Sequence, residues 1–207
     1  NLFFSGTSKL SVFIETGYTG LLTDNYINLF YSGKDYKKGL KNGYYLNSGF
    51  SMFFKNSGLG YKIFWDFFYN ENDNHIFIDQ FNYKYNKISD KIKLKSFGPV
   101  FYNRKILENK KLFLISGFSG MLSKYFDNAV IYSKSFNREF YIEAMNIGFE
   151  ASFSAEYQLY KWLGLGASAS GFFTYFKKYQ MNSTIYYLEN NVNIIKTSVS
   201  GGVRFYL

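Results

Sequence analysis

Cysteine is absent from the 207 residues, and histidine and proline occur once each, at His75 and Pro99. Without cysteine there is no disulfide, no thiolate zinc site and no Cys nucleophile. A single histidine excludes a histidine metal cluster, and no metal or cofactor is expected. One proline among 18 glycines does not describe a Pro-rich linker or a disordered chain. A long hydrophobic run is missing as well. The longest uncharged stretch, WLGLGASASGFFTYF between Lys161 and Lys177, is too short and too rich in Gly and Ser to span a bilayer as a helix, which takes about 20 apolar residues. The opening NLFFSGTSKL lacks the charged start, apolar core and small-residue cleavage site of a signal peptide, so either none existed or it has been removed.

What is present is aromatic. Phe, Tyr and Trp make up 23% of the chain and apolar residues 47%, yet the mean hydropathy is slightly negative, so apolar and polar residues are finely mixed. The mixing has a period of two, the signature of half-buried strands. Eight segments show it: 9–18, 44–55, 61–70, 92–103, 112–122, 147–158, 163–176 and 194–207. Their apolar parities include Leu10, Val12 and Ile14 in the first, Ile63, Trp65 and Phe67 in the third, Ile92, Leu94, Val100 and Tyr102 in the fourth, and Val199, Val203 and Phe205 in the last. The length suits one domain, residues 1–207.

The connections alternate. Short ones fall near 56–60, 104–111 and 159–162, long ones near 19–43, 71–91, 123–146 and 177–193. The fold class this predicts is all-β: an eight-stranded antiparallel up-and-down transmembrane β-barrel with short periplasmic turns and long extracellular loops. Both termini then lie on the periplasmic side. Residues 75–95 still alternate in places, so the third and fourth strands are expected to run on as a hairpin that turns near Asn86.

Charge placement tests which face meets lipid. The apolar parities hold 48 positions and no charge. The opposite parities hold 47 positions and 11 charges: Lys9, Glu15, Lys55, Lys62, Asp66, Lys93, Lys95, Glu150, Glu156, Lys196 and Arg204. A Lys or Arg facing lipid at the midplane costs about 2–4 kcal/mol, which explains the bias. Arg104 and Glu143 fall on the lipid parity, but at segment ends, where the cost vanishes. The inward parity is also small and polar, with Gly49, Ser51, Ser152, Ser168 and Ser200 among others. A soluble ligand-carrying barrel would need the reverse.

The last strand, VSGGVRFYL, alternates to its final residue through Val199, Val203, Phe205 and Leu207. It resembles the C-terminal strand of Gram-negative outer-membrane proteins, which the barrel-assembly machinery reads. Those strands usually end in Phe or Trp, and Leu207 takes that place here. The eight-strand plan is similar to small barrels of the OmpA, OmpX and OmpW type. The resemblance implies Val203, Phe205 and Leu207 as an assembly signal, the barrel-assembly machinery as a partner in biogenesis, and the bacterial outer membrane as the location.

An eight-stranded barrel is just wide enough for its own side chains to fill it. Inward charges must then pair, and strand positions suggest Glu15 with Lys196, Asp66 with Lys95, and Glu156 with Arg204. The formal charge of +9 suggests an anionic partner. Lys34, Lys37, Lys38 and Lys41, in the first long loop, are candidates to contact lipopolysaccharide phosphates. Nucleic acid is not expected, because the apolar belt outweighs the basic stretch YKYNKISDKIKLK.

Catalytic readings are poor. His75 has no serine at His-x-Ser spacing, and Ser89 is the nearest downstream. Glu71, Asp73 and Asp79 lack the glycine and closing glutamate of an EF-hand. Glu150 and Glu156 are about 20 Å apart along one strand, too far for glycosidase carboxylates. The function expected is a non-enzymatic structural or partner-binding subunit with a side-chain-filled lumen, whose loop aromatics (Tyr26, Phe30, Tyr36, Tyr186 and Tyr187 among them) meet another envelope protein. Two alternatives stand: a small transport barrel passing ions or small apolar molecules, and a lipid-modifying enzyme. The sequence names no partner or ligand.

Overall fold

A computed structural model describes residues 10–22, 39–54, 58–78, 84–107, 111–133 and 136–207. Eight strands run in order: β1 (Leu10–Leu21), β2 (Asn42–Phe53), β3 (Leu59–Ile78), β4 (Lys84–Ile106), β5 (Leu112–Tyr132), β6 (Asn137–Tyr160), β7 (Leu163–Met181) and β8 (Thr184–Tyr206). Each pairs antiparallel with the next, and β8 pairs with β1, so the sheet closes as a barrel. Closure leaves no unpaired edge, which an apolar wall requires.

The hairpin end is longer than the expected loops imply. Strands β3 to β8 run 19–24 residues, and most of 71–91, 123–146 and 177–193 is strand. Ile78 of β3 pairs with Lys84 of β4, so Asn86 belongs to β4 and is not where the chain turns. The β7–β8 turn is tight, with Asn182 and Ser183 both at positive φ (46° and 76°). Two central residues of that hand match the twist of a hairpin.

An apolar belt circles the outside of the lower barrel. Ile14, Tyr18, Phe50, Ile63, Trp65, Phe97, Phe101, Phe118, Leu122, Phe149, Phe153, Phe173 and Val199 are all exposed. Seven of the eight predicted parities face as expected, and β4 is the exception. Ile92, Leu94, Val100 and Tyr102 are buried inside, while Lys95, Phe97 and Phe101 point outward. The segment straddles the edge of the belt. Below that edge β4 shows Phe97, Pro99 and Phe101 to the outside. Above it the outward positions are Lys91, Lys93 and Lys95, and Ile88, Ile92 and Leu94 turn in. Arg104, on the parity expected to meet lipid, also points inward and is buried, its guanidinium 3.5 Å from the centre of the Phe53 ring.

The interior therefore has two layers. Within the belt it is polar. Above the belt it is an apolar plug of Phe68, Ile88, Ile92, Leu94, Tyr125, Phe172, Phe176 and Ile194, all essentially without exposure. Outside the plug, charges pair: Lys87 Nζ lies 2.6 Å from Asp73 and Lys91 Nζ 3.2 Å from Glu71. Tyr69 and Lys91 both donate toward Glu71, the tyrosine first in effect, and hold its carboxyl below the usual range.

The corrected β4 register carries a direct test. Phe101 is 69% exposed in the middle of the belt. Phe101→Arg should cost about 2–4 kcal/mol of folding into lipid vesicles, measured by urea titration. Tyr102→Arg, on the parity that alternation alone assigns to lipid, should instead disturb a packed interior and expose no charge to lipid.

Candidate functional site

The polar layer is the place to look for function. The described residues of this layer bring four acids, Glu15, Asp66, Glu150 and Glu156, and four bases, Lys62, Arg104, Lys196 and Arg204, to the inner face. Two ion pairs organise them. Lys196 on β8 reaches across to β3 and donates to both carboxylate oxygens of Asp66, at 2.7 and 2.6 Å, with both side chains fully buried. Its ammonium also sits 5.0 Å from the Tyr45 ring and 5.1 Å from that of Phe172. This pair is the floor of the apolar plug. Lower down, Arg204 Nε lies 2.8 Å from Glu156, and its Nη1 donates to Ser51 Oγ at 2.9 Å. The Tyr206 hydroxyl donates to the other Glu156 oxygen. The Glu156–Arg204 pair crosses over β7 because Gly164 lies beneath it. A Cβ there would stand 2.6 Å from Glu156 Oε1.

Of the three pairs expected from the sequence, only Glu156–Arg204 forms. Glu15 and Lys196 are too far apart along the wall. Register sets Glu15 opposite Gly202 and Lys196 opposite Leu21, six residues apart on β8, or about 20 Å. Glu15 instead accepts from Ser168 Oγ at 3.1 Å and from Ser200 Oγ at 3.5 Å. Lys95 cannot meet Asp66, because it lies opposite Phe67 on the outer face. The partner Asp66 takes, Lys196, sits on a strand three places round the ring. Neighbouring-strand reasoning does not reach it.

Little open space remains. A cavity of about 20 Å³ is bordered by Glu15, Asn47, Lys62, Glu150, Ser152, Ser170 and Arg204. A second of about 10 Å³ lies beside Phe13, Glu156 and Arg204. Each is of the size that holds about one water molecule. The serines close ranks: Ser11 and Ser51 are 2.6 Å apart, Thr19 and Ser198 2.7 Å, Ser168 and Ser200 2.5 Å.

The other candidates fall elsewhere. Lys34, Lys37, Lys38 and Asp79 lie outside the described residues. Lys41 is half-buried just before β2, and its carbonyl accepts from the Leu21 amide. His75 is in β3 opposite Lys87. Ser89 is buried. Glu150 and Glu156 both point inward, in separate parts of the lumen. Val203, Phe205 and Leu207 lie on the outer parity. Phe205 stacks on Trp162 at 6.3 Å, and the Leu207 amide bonds the Leu10 carbonyl, closing the seam.

No family model matches the chain, and no curated protein matches it. Solved structures do. A major outer membrane protein from Thermus thermophilus superposes with a TM-score of 0.63 at 10% identity, over 97% of this chain and 100% of that one. The outer membrane protein OprG from Pseudomonas aeruginosa gives 0.57 at 11%, over 99% of each chain. The outer membrane protease OmpT from Escherichia coli gives 0.54 at 9%, again over 99% of each. The chain thus has the up-and-down barrel fold of bacterial outer-membrane proteins. That fold serves a protease as well as proteins with other roles, so function is argued from this chain's own lumen and walls.

The interior pair and the plug can each be tested. Lys196→Met leaves a buried carboxylate without its cation and should cost about 3–5 kcal/mol, whereas Asp66→Leu with Lys196→Met should cost clearly less. Urea unfolding of both in detergent measures the difference. In the apolar plug, burial first and the neighbouring Asp90 second push the Asp127 carboxyl well above its usual range. A carboxyl raised in the folded state lends stability below its unfolded value and loses it as pH rises through the raised one. Hydrogen exchange in 86–92 and 125–131, corrected for intrinsic rate, should quicken from about pH 4 to pH 7, and Asp127→Asn should flatten that rise.

Proposed function

We propose that this chain is an integral outer-membrane barrel, without catalysis and without a conducting pore, that serves as a structural or partner-binding subunit. The observation that carries the reading is the filled interior: belt-level charges locked by Asp66–Lys196 and Glu156–Arg204 beneath a plug of packed aromatic and aliphatic side chains that also encloses Asp90 and Asp127. A solute would have to break both layers. The belt of outward Phe, Ile, Leu and Val supports residence in a bilayer. By analogy with the barrel plan the hairpin end faces outward and both termini face the periplasm. The last strand, with Val203, Phe205 and Leu207 on one parity, is the segment offered to the assembly machinery.

Partner contact falls to the hairpin end. The β7–β8 ribbon projects there, with Ile185 exposed, Tyr186 stacked on Tyr179 at 5.3 Å and Tyr187 79% exposed. Rigid aromatics on an exposed ribbon suit a protein interface. Single-channel recording of the reconstituted protein in planar bilayers should stay silent. Regular conductance steps that vanish on filling the lumen with Ser168→Phe would overturn the proposal in favour of transport.

A further inference from the structure

The outer wall carries a basic row at the level where hydrocarbon ends. Lys95 lies one inward–outward repeat above Phe97, with Lys93 next above it on β4. Register sets Lys95 directly opposite Lys124 of β5, and Lys93 opposite Phe126. Like charges facing each other across a ladder repel, so the arrangement calls for an anion from outside. The Lys95 and Lys124 ammonium groups share one ring, at 5.2 and 4.5 Å from the centre of Phe126, and Lys93 stands 5.9 Å from that of Tyr69.

The acids on this wall are already committed. Asp73 pairs with Lys87, Glu71 with Lys91, and Glu143 with Lys124 at 2.7 Å. Among the described residues Lys93 and Lys95 have no carboxylate partner. They are also the two lysines of β4 nearest the upper edge of the belt. Three lysines against Glu143 leave a local charge of +2, which matches a phosphate monoester at about −1.5 to −2. The row faces sideways, above Trp65, Phe97 and Leu122. An anion reaching it with acyl chains below would lay those chains along the same rings. A soluble polyanion has no use for the apolar wall underneath.

We propose that Lys93, Lys95 and Lys124 form a binding site for the phosphate of a phosphorylated glycolipid in the surrounding leaflet. The site rests on the membrane placement proposed above. It lies on β4 and β5 and uses none of Lys34, Lys37, Lys38 and Lys41. Tyr69 and Phe126 shape the pocket floor, and the lysines donate to the phosphate oxygens by charge-assisted hydrogen bonds.

The test uses the full chain in lipid nanodiscs, with bis-phosphorylated lipid A as the probe and native mass spectrometry of the released complexes as readout. Wild type should retain lipid A, and Lys93→Gln with Lys95→Gln should weaken retention about thirtyfold. Lys93→Arg with Lys95→Arg should restore it. The control Lys105→Gln with Lys161→Gln, at the other rim, should change nothing. Equal retention of lipid A stripped of phosphate, or full retention by the Gln double variant, overturns the site while leaving the barrel in its membrane. Failure of wild type to enter the bilayer overturns both proposals.

Discussion

Water and hydrocarbon trade places across this wall, and the rest of the structure follows from that exchange. Within the belt, lipid lies outside, so apolar side chains turn out and everything polar is driven into the lumen. Above the belt, water lies outside, so the same closed sheet turns its apolar residues in and its charges out. One continuous strand can serve both regimes. β4 shows Lys91, Lys93 and Lys95 to solvent, then Phe97, Pro99 and Phe101 to lipid, without a break in pairing to β3.

The inner layers inherit their chemistry from this switch. Within the belt the lumen receives Glu15, Lys62, Asp66, Arg104, Glu150, Glu156, Lys196 and Arg204, and it is stable only because these can neutralise one another. Small residues make room for them. Gly164 clears the path between Glu156 and Arg204, and a Cβ on Gly202 would stand 2.6 Å from Glu15 Cγ. Above the belt the interior behaves as the core of a soluble barrel. Phe68, Phe172 and Phe176 pack there. The Asp66–Lys196 pair sits at the junction, polar to one side and ringed by Tyr45 and Phe172.

Much of this is legible in the alternation alone. The strand number, closure and seven facings follow from which parity avoids charge, because lipid penalises every charge on its side by the same rule. That rule misreads β4, since Lys93 and Lys95 face outward above the belt. The three hairpin extensions pass for loops for a related reason. Their pattern is the inverse of the lipid-facing one, with Tyr125, Ala129 and Ile131 inside. Partners across the lumen are beyond its reach. Glu156 and Arg204 lie on strands separated only by the glycines of β7, a short step that sequence position can suggest. Asp66 and Lys196 meet through the width and stagger of the closed barrel, which no single strand encodes.

On the function proposed here, a barrel filled in this way works through its surfaces. Within the belt its charges answer one another, four acids and four bases among the described residues, and two small cavities beside them hold little more than a water each. On the outer wall of β3 to β5 the balance differs, because Lys93 and Lys95 stand over the belt with no carboxylate partner among the described residues. The β7–β8 ribbon differs in another way, leaving the side chains of Ile185 and Tyr187 exposed. These are the places where the proposed contacts fall. Here they fall at two heights, a basic row level with lipid headgroups and an aromatic tip beyond them. A molecule of the leaflet can reach the first without touching the second, and a protein partner can reach the second without displacing lipid.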